Sequence, residues 1–277
     1  MKKATILALA IMSALNIFAA NPSEITVKID LAHTSYVSGE RIRAVVDVAN
    51  ASADAIDVGK VDSPDALILE LFRASDRYQY GKQSNKPFVV PFALLSGEGQ
   101  KLETFIADYF PFADDTRYLV RAVLIHKGMR FESAYKSFDI GPGMRLARAI
   151  QMFASRPELT RRFELVHWSR NQVEHIFLKV NDSGSSVRRW RTTDLGPILR
   201  VTPPKISVLK TGEIIVLHRT TQDAFIRSEF WSMPDVFEFH EKELMADPDI
   251  AGAERVKALY KEAGGVEPVK KAWWKFW

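Results

Sequence analysis

Ile25-Thr26-Val27-Lys28-Ile29-Asp30-Leu31 alternates apolar and polar side chains without a break. A period of two belongs to a strand with one face buried and one in water, so this stretch predicts a β-strand. The same pattern returns after the turn residues Ser38-Gly39-Glu40: Ile42, Ala44, Val46 and Val48 alternate with Arg43, Asp47 and Ala49 until Asn50-Ala51-Ser52 breaks the run. A third run covers Ala66 to Phe72. Tyr118 to Ile125 is rich in strand formers, Lys127-Gly128 offers a tight turn, and the chain returns through Phe131 to Ile140. No helical period intervenes. Strands at this spacing predict an antiparallel β-sandwich over residues 24–141.

The run Arg117-Tyr118-Leu119-Val120-Arg121-Ala122-Val123, with Ser137-Phe138-Asp139-Ile140-Gly141-Pro142-Gly143 after it, resembles the closing strands of exported bacterial immunoglobulin-like domains. Val46-Asp47-Val48-Ala49-Asn50-Ala51-Ser52 is similar to a strand end of the same class. Macroglobulin-type and bacterial proteinase-inhibitor-like sandwiches share these features. The resemblance covers residues 24–141 and implies an immunoglobulin-like fold, with proteinase inhibition as one activity found among such domains. The long stretch from Asp76 to Pro91 reads as a loop, solvated or ligand-binding.

Gly141-Pro142-Gly143 marks a boundary, and charge changes across it. Residues 21–141 carry a net −3 and residues 142–277 a net +5. The basic half is too weakly charged to point to nucleic acid; anionic envelope polymers or lipid headgroups suit it better. Beyond the boundary, Leu146, Ile150 and Phe153 fall at i, i+4 and i+7, which predicts a helix over Met144–Phe153 ended by Pro157. Strand-like runs follow at Phe163–Trp168, His175–Val180, Val187–Arg191, Ile206–Leu209, Ile214–His218 and Phe225–Trp231. Lys210-Thr211-Gly212-Glu213 and Asn181-Asp182-Ser183-Gly184 provide turns. They predict an antiparallel β-meander domain over 142–246. A C-terminal helix then starts at Asp247-Pro248-Asp249 and stops at Gly264-Gly265, so residues 247–277 form a helix and a tail.

Lys2 and Lys3 precede an apolar run from Ala4 to Ala20. This arrangement predicts a secretory signal peptide over residues 1–20, with an uncleaved anchor as the alternative because Phe18 is bulky for a cleavage site. The expected location is the bacterial periplasm or cell surface. The chain contains no cysteine, so disulfides, thiolate metal sites and cysteine nucleophiles are excluded. An apolar fraction of 47% and a charged fraction of 26% are those of a globular protein.

No nucleophile elbow, phosphate loop, dinucleotide fingerprint or zinc-protease motif occurs. His167, His175, His218, His240 and Glu174 lie in the second half, but none has close ligand spacing, and neither a metal nor another cofactor is expected. Two stretches qualify as binding surfaces. Arg161, Arg162, Trp168, Arg170, Arg188, Arg189, Trp190 and Arg191 cluster within 31 residues, as a guanidinium–indole surface or as strands with Trp inward and Arg outward. Lys270, Lys271, Trp273, Trp274, Lys275, Phe276 and Trp277 close the chain. Such a tail suits a membrane interface, a groove on a partner, or its own domain.

These features predict an exported, non-catalytic, β-rich binding or envelope-associated module. Its partner would be an envelope protein, a glycan or the membrane interface. The enzymatic alternative is a glycan-active hydrolase using Asp182, Asp194 and Glu213, and the third reading is a proteinase inhibitor.

Overall fold

The computed structural model describes residues 24–59, 63–113, 116–183 and 190–246. The signal peptide, Arg188, Arg189, the C-terminal helix and the aromatic–basic tail expected from the sequence lie outside the described residues. Within them the chain is mainly β, in several largely antiparallel sheets. The first half holds β1 (Ile25–Leu31), β2 (Ser35–Val37), β3 (Arg43–Asn50), β4 (Ile56–Val58), β5 (Ala66–Arg73), β6 (Gln79–Tyr80), β7 (Phe92–Leu94), β8 (Gly99–Phe105), β9 (Thr116–His126), β10 (Met129–Glu132) and β11 (Lys136–Gly141). The second holds β12 (Met144–Phe153), β13 (Arg156–Arg170), β14 (Val173–Ser183), β15 (Trp190–Pro197), β16 (Lys205–Val208), β17 (Glu213–Thr221), β18 (Ala224–Ser232) and β19 (Phe237–Ala246).

In β1 the alternation seen in the sequence is also the burial pattern: Ile25, Val27 and Ile29 are buried and Thr26, Lys28 and Asp30 exposed. The sheet β1-β3-β8 faces the sheet β2-β11-β9-β5-β6, with β10 also paired to β9. Their inner faces share one core, from Ile29, Val46 and Leu102 on one side to Leu69, Tyr118, Val120 and Phe138 on the other. Lys127 and Gly128, both at positive φ, make the two-residue turn from β9 to β10.

The second half is two successive four-stranded meanders, β12-β13-β14-β15 and β16-β17-β18-β19. Phe163, Leu165, Ile176 and Leu178 of the first meet Ile214, Val216, Phe230 and Phe237 of the second in a separate core.

The helix expected over Met144–Phe153 is instead strand β12, paired along β13. A register shift between Arg145 and Ala147 inserts Leu146 as a bulge. Beyond it, Ala147, Ala149, Gln151 and Phe153 turn inward, while Ile150 and Met152 are 48% and 78% exposed. The helical spacing of Leu146, Ile150 and Phe153 is thus a product of the bulge, and pairing with β13 overrides it. Pro157 lies at the start of β13, beside a second register shift, where it interrupts no helix. The turn expected at Asn181-Asp182-Ser183 is also corrected: those residues extend β14 opposite Arg162, Arg161 and Thr160. The strand β19 follows one that the sequence had already suggested at Phe225–Trp231 but was itself unforeseen.

Candidate functional site

Pro142 and Gly143 alone separate β11 from β12, so the two halves meet directly. The turn after β2 is the contact. Gly39, at φ 83°, allows the chain to reverse, and Glu40 N–H donates to the Val37 carbonyl at 3.0 Å. Across the seam Thr192 Oγ1 donates to the Ser38 carbonyl at 2.6 Å, and Trp168 Nε1 donates to Ser35 Oγ at 3.3 Å. The benzo ring of Trp168 packs directly against Gly141: a Cβ there would stand 2.4 Å from Cη2.

At the centre of the seam is a partly buried charged cluster around the buried Arg170. Arg170, at the end of β13, donates through Nη2 to Glu40 at 2.6 Å and through Nη1 to Asp194 at 3.2 Å. Its side chain is only 5% exposed and that of Glu40 13%. The guanidinium carbon lies 5.0 Å from the Phe177 ring centroid and 5.8 Å from that of Tyr36, so aromatic faces screen it from water. Asp194 also accepts from Gly196 N–H at 2.7 Å and contacts His175 Nδ1 at 3.0 Å.

Burial raises the Glu40 carboxyl above its ordinary range, against the pull of the Arg170 charge and the Val37 N–H. Burial acts the same way on Asp194. There the His175 hydrogen bond and charge, the Gly196 N–H and Arg170 outweigh it and hold the carboxyl below the usual value. His33 is lowered by burial and then by the Arg170 charge. Deeper in the second half, burial pushes His218 down to about 3, with Lys242 adding to the effect.

Of the guanidinium–indole residues, Arg170 and Trp168 do come together, at the seam. Arg191 lies apart from them, donating to the Phe237 carbonyl at 2.7 Å. Trp190 opens β15, and its side chain lies outside the described residues. The arrangement of Trp inward and Arg outward does not hold on β13: Trp168 is half-buried, whereas Arg161 and Arg170 are buried. Arg161 forms a fork with Asp182 at 2.6 and 2.8 Å and donates to Ser232 Oγ and to the carbonyls of Met233 and Val236. It therefore clamps the turn between β18 and β19.

Among the hydrolase candidates, Asp182 is held by Arg161, and Asp194 by Arg170 and His175. Glu213 accepts from Thr211 Oγ1 at 3.2 Å beside its turn. Glu174 is engaged by an Arg200 fork at 2.6 and 2.7 Å, with His167 3.4 Å away. Sequence reasoning missed Glu40 and His33, whose surroundings depend on Arg170, 130 and 137 positions distant.

The loop between Asp76 and Pro91 contains the short β6 and then forms one wall of a shallow, open groove. Phe88, Val89 and Pro91 face Glu103, Phe105 and Tyr109 across it. Lys82 Nζ stands 4.5 Å from the Phe88 ring centroid. Among the described residues no helix is long and apolar enough to cross a membrane.

No family model matches the sequence, and no curated protein does. Among solved structures, the chain is similar to the sporulation control protein Spo0M of Bacillus subtilis, at 10% identity and a TM-score of 0.30, over 86% of this chain and 97% of that one. It is also similar to a chain of the CsuC–CsuE chaperone–tip adhesion subunit complex of Acinetobacter baumannii pili, at 10% identity and a TM-score of 0.23, over 80% and 97%. At such scores these likenesses carry no argument about function.

Proposed function

We propose that the chain is an exported, non-catalytic binding module of the bacterial envelope. In this reading residues 24–141 form an immunoglobulin-like sandwich domain and residues 142–246 a second β domain. The tail over 269–277 is the contact with an anionic membrane interface or an envelope partner. One observation carries the preference over hydrolysis: Asp182 and Asp194 are each engaged by a buried arginine. A glycosidase needs one carboxyl that keeps its proton near neutrality and a second free to attack or to activate water. Asp194, held below the ordinary carboxylate range, is unsuited to the first role. The groove beside Phe88 and Tyr109 supports a binding role as well, since loops displayed on a rigid β scaffold commonly hold ligands.

The test is to produce the full chain in a bacterial host, fractionate the cells, and assay the purified protein against cell-wall glycans. The expected result is recovery with the envelope and no release of reducing ends. Hydrolysis that is abolished by Asp194→Asn in a folded protein overturns the proposal in favour of the hydrolase.

A further inference from the structure

The outer face of the β18–β19 hairpin holds three metal-ligating side chains that the reading above does not use. Glu229 on β18 is paired directly with Glu241 on β19, and the next pair is Phe230 with Phe239. His240 is the extra residue between them. In a regular strand His240 and Glu241 would point to opposite faces. The bulge lets both lie on the side of Glu229. The His240 ring meets the outward-facing Trp231 edge to face, with centroids 5.7 Å apart. The ligating atoms of Glu229, His240 and Glu241 all lie within 4.8 Å of one another.

Two carboxylates directly opposite across an antiparallel pair repel each other. Arg227 offsets part of that repulsion through an ion pair with Oε1 of Glu229. A Glu229 oxygen, a Glu241 oxygen and an imidazole nitrogen make a mixed nitrogen–oxygen donor set. Calcium and magnesium favour oxygen-only shells, whereas imidazole with carboxylate suits zinc and its neighbours. Ligands at about 2.0–2.2 Å from a tetrahedral ion stand about 3.4 Å apart. The ligating atoms need close by at most about 1.4 Å to reach that spacing.

We propose that Glu229, His240 and Glu241 bind one divalent transition-metal ion of the zinc class, with solvent completing the coordination. The ion would cross-link β18 to β19 next to the bulge. This inference is independent of the envelope reading. The sequence hid the site because two ligands are adjacent and the third comes from the neighbouring strand, a spacing that matches no local zinc motif.

The experiment is a titration of the untagged, EDTA-treated full chain with zinc chloride in competition with a chromophoric chelator. The expected result is one equivalent bound with a dissociation constant in the micromolar range or below. His240→Ala and Glu241→Gln should each weaken binding at least tenfold with an unchanged circular dichroism spectrum. His167→Ala should leave binding unaltered, and calcium and magnesium should not compete. The cobalt(II) form should show an absorption band that is lost in His240→Ala. Absence of binding at 100-fold excess zinc over protein, or binding that both site variants leave intact, overturns the proposal.

Discussion

Arg170 Nη2 stands 2.6 Å from Glu40 Oε2, joining side chains 130 positions apart across the seam between the two halves of the chain. Arg170 is buried and the Glu40 side chain is only 13% exposed, so each depends on the other for its charge to be tolerated. Removing one partner of such a pair costs about 3–5 kcal/mol, because the remaining charge stays in a low-dielectric site. Arg170→Ala should therefore lower the unfolding free energy by about that amount in urea titrations. The double variant Arg170→Met with Glu40→Gln should recover a large part of it.

Asp182 neutralises Arg161, whose side chain is 4% exposed and whose remaining donors hold the β18–β19 turn. Asp182→Asn preserves the shape and removes the charge. The expected loss is about 1–3 kcal/mol, read from the urea midpoint at constant slope. An unchanged midpoint would mean that Asp182 has no part in holding the fold.

Acid should destabilise the fold through its histidines. With His218 at about 3 in the folded chain and about 6.5 when unfolded, the unfolded state binds the extra proton between those values. Stability due to this group is therefore full above about 6.5 and falls as pH drops toward 3, by up to about 1.4 kcal/mol per pH unit. His33 and His167, also lowered chiefly by burial, act in the same direction. Glu40, raised by burial, acts in the opposite one. His218→Asn should reduce the slope of stability against pH between 6 and 4 by nearly one proton.

Gly141 has no room for a side chain. Its Cβ would overlap the Trp168 ring at 2.4 and 2.7 Å. Gly141→Ala should cost about 1–3 kcal/mol by overpacking. It should also displace the indole from Ser35, shifting tryptophan emission without changing the far-ultraviolet circular dichroism.

Much of the architecture is legible in local pattern. Wherever one face of a strand is buried and the other wet, as in Ile25–Leu31 and Ile42–Val48, the period of two is visible. It fails at Met144–Phe153, because the bulge at Leu146 moves the alternation by one position and the inward residues Ala147 and Ala149 are too small to mark a face. The seam is less legible still. Trp168 and Arg170 stand out as residue types, yet nothing near them in sequence shows that Arg170 is buried, since its partner Glu40 sits in a turn of the other half. The burial of Arg161 is illegible for the same reason: it depends on Asp182 and on carbonyls more than 70 positions away.

The functional account rests above all on the aromatic–basic tail. The most direct test compares the full chain with one ending at residue 268 in co-sedimentation with the bacterial envelope fraction and with anionic lipid vesicles, alongside thermal unfolding of both. The account expects association to fall at least tenfold while the unfolding temperature stays within about 2 °C, because the tail contributes contact and not core. Unchanged association together with a large drop in unfolding temperature would contradict it and make the tail part of the chain's own packing.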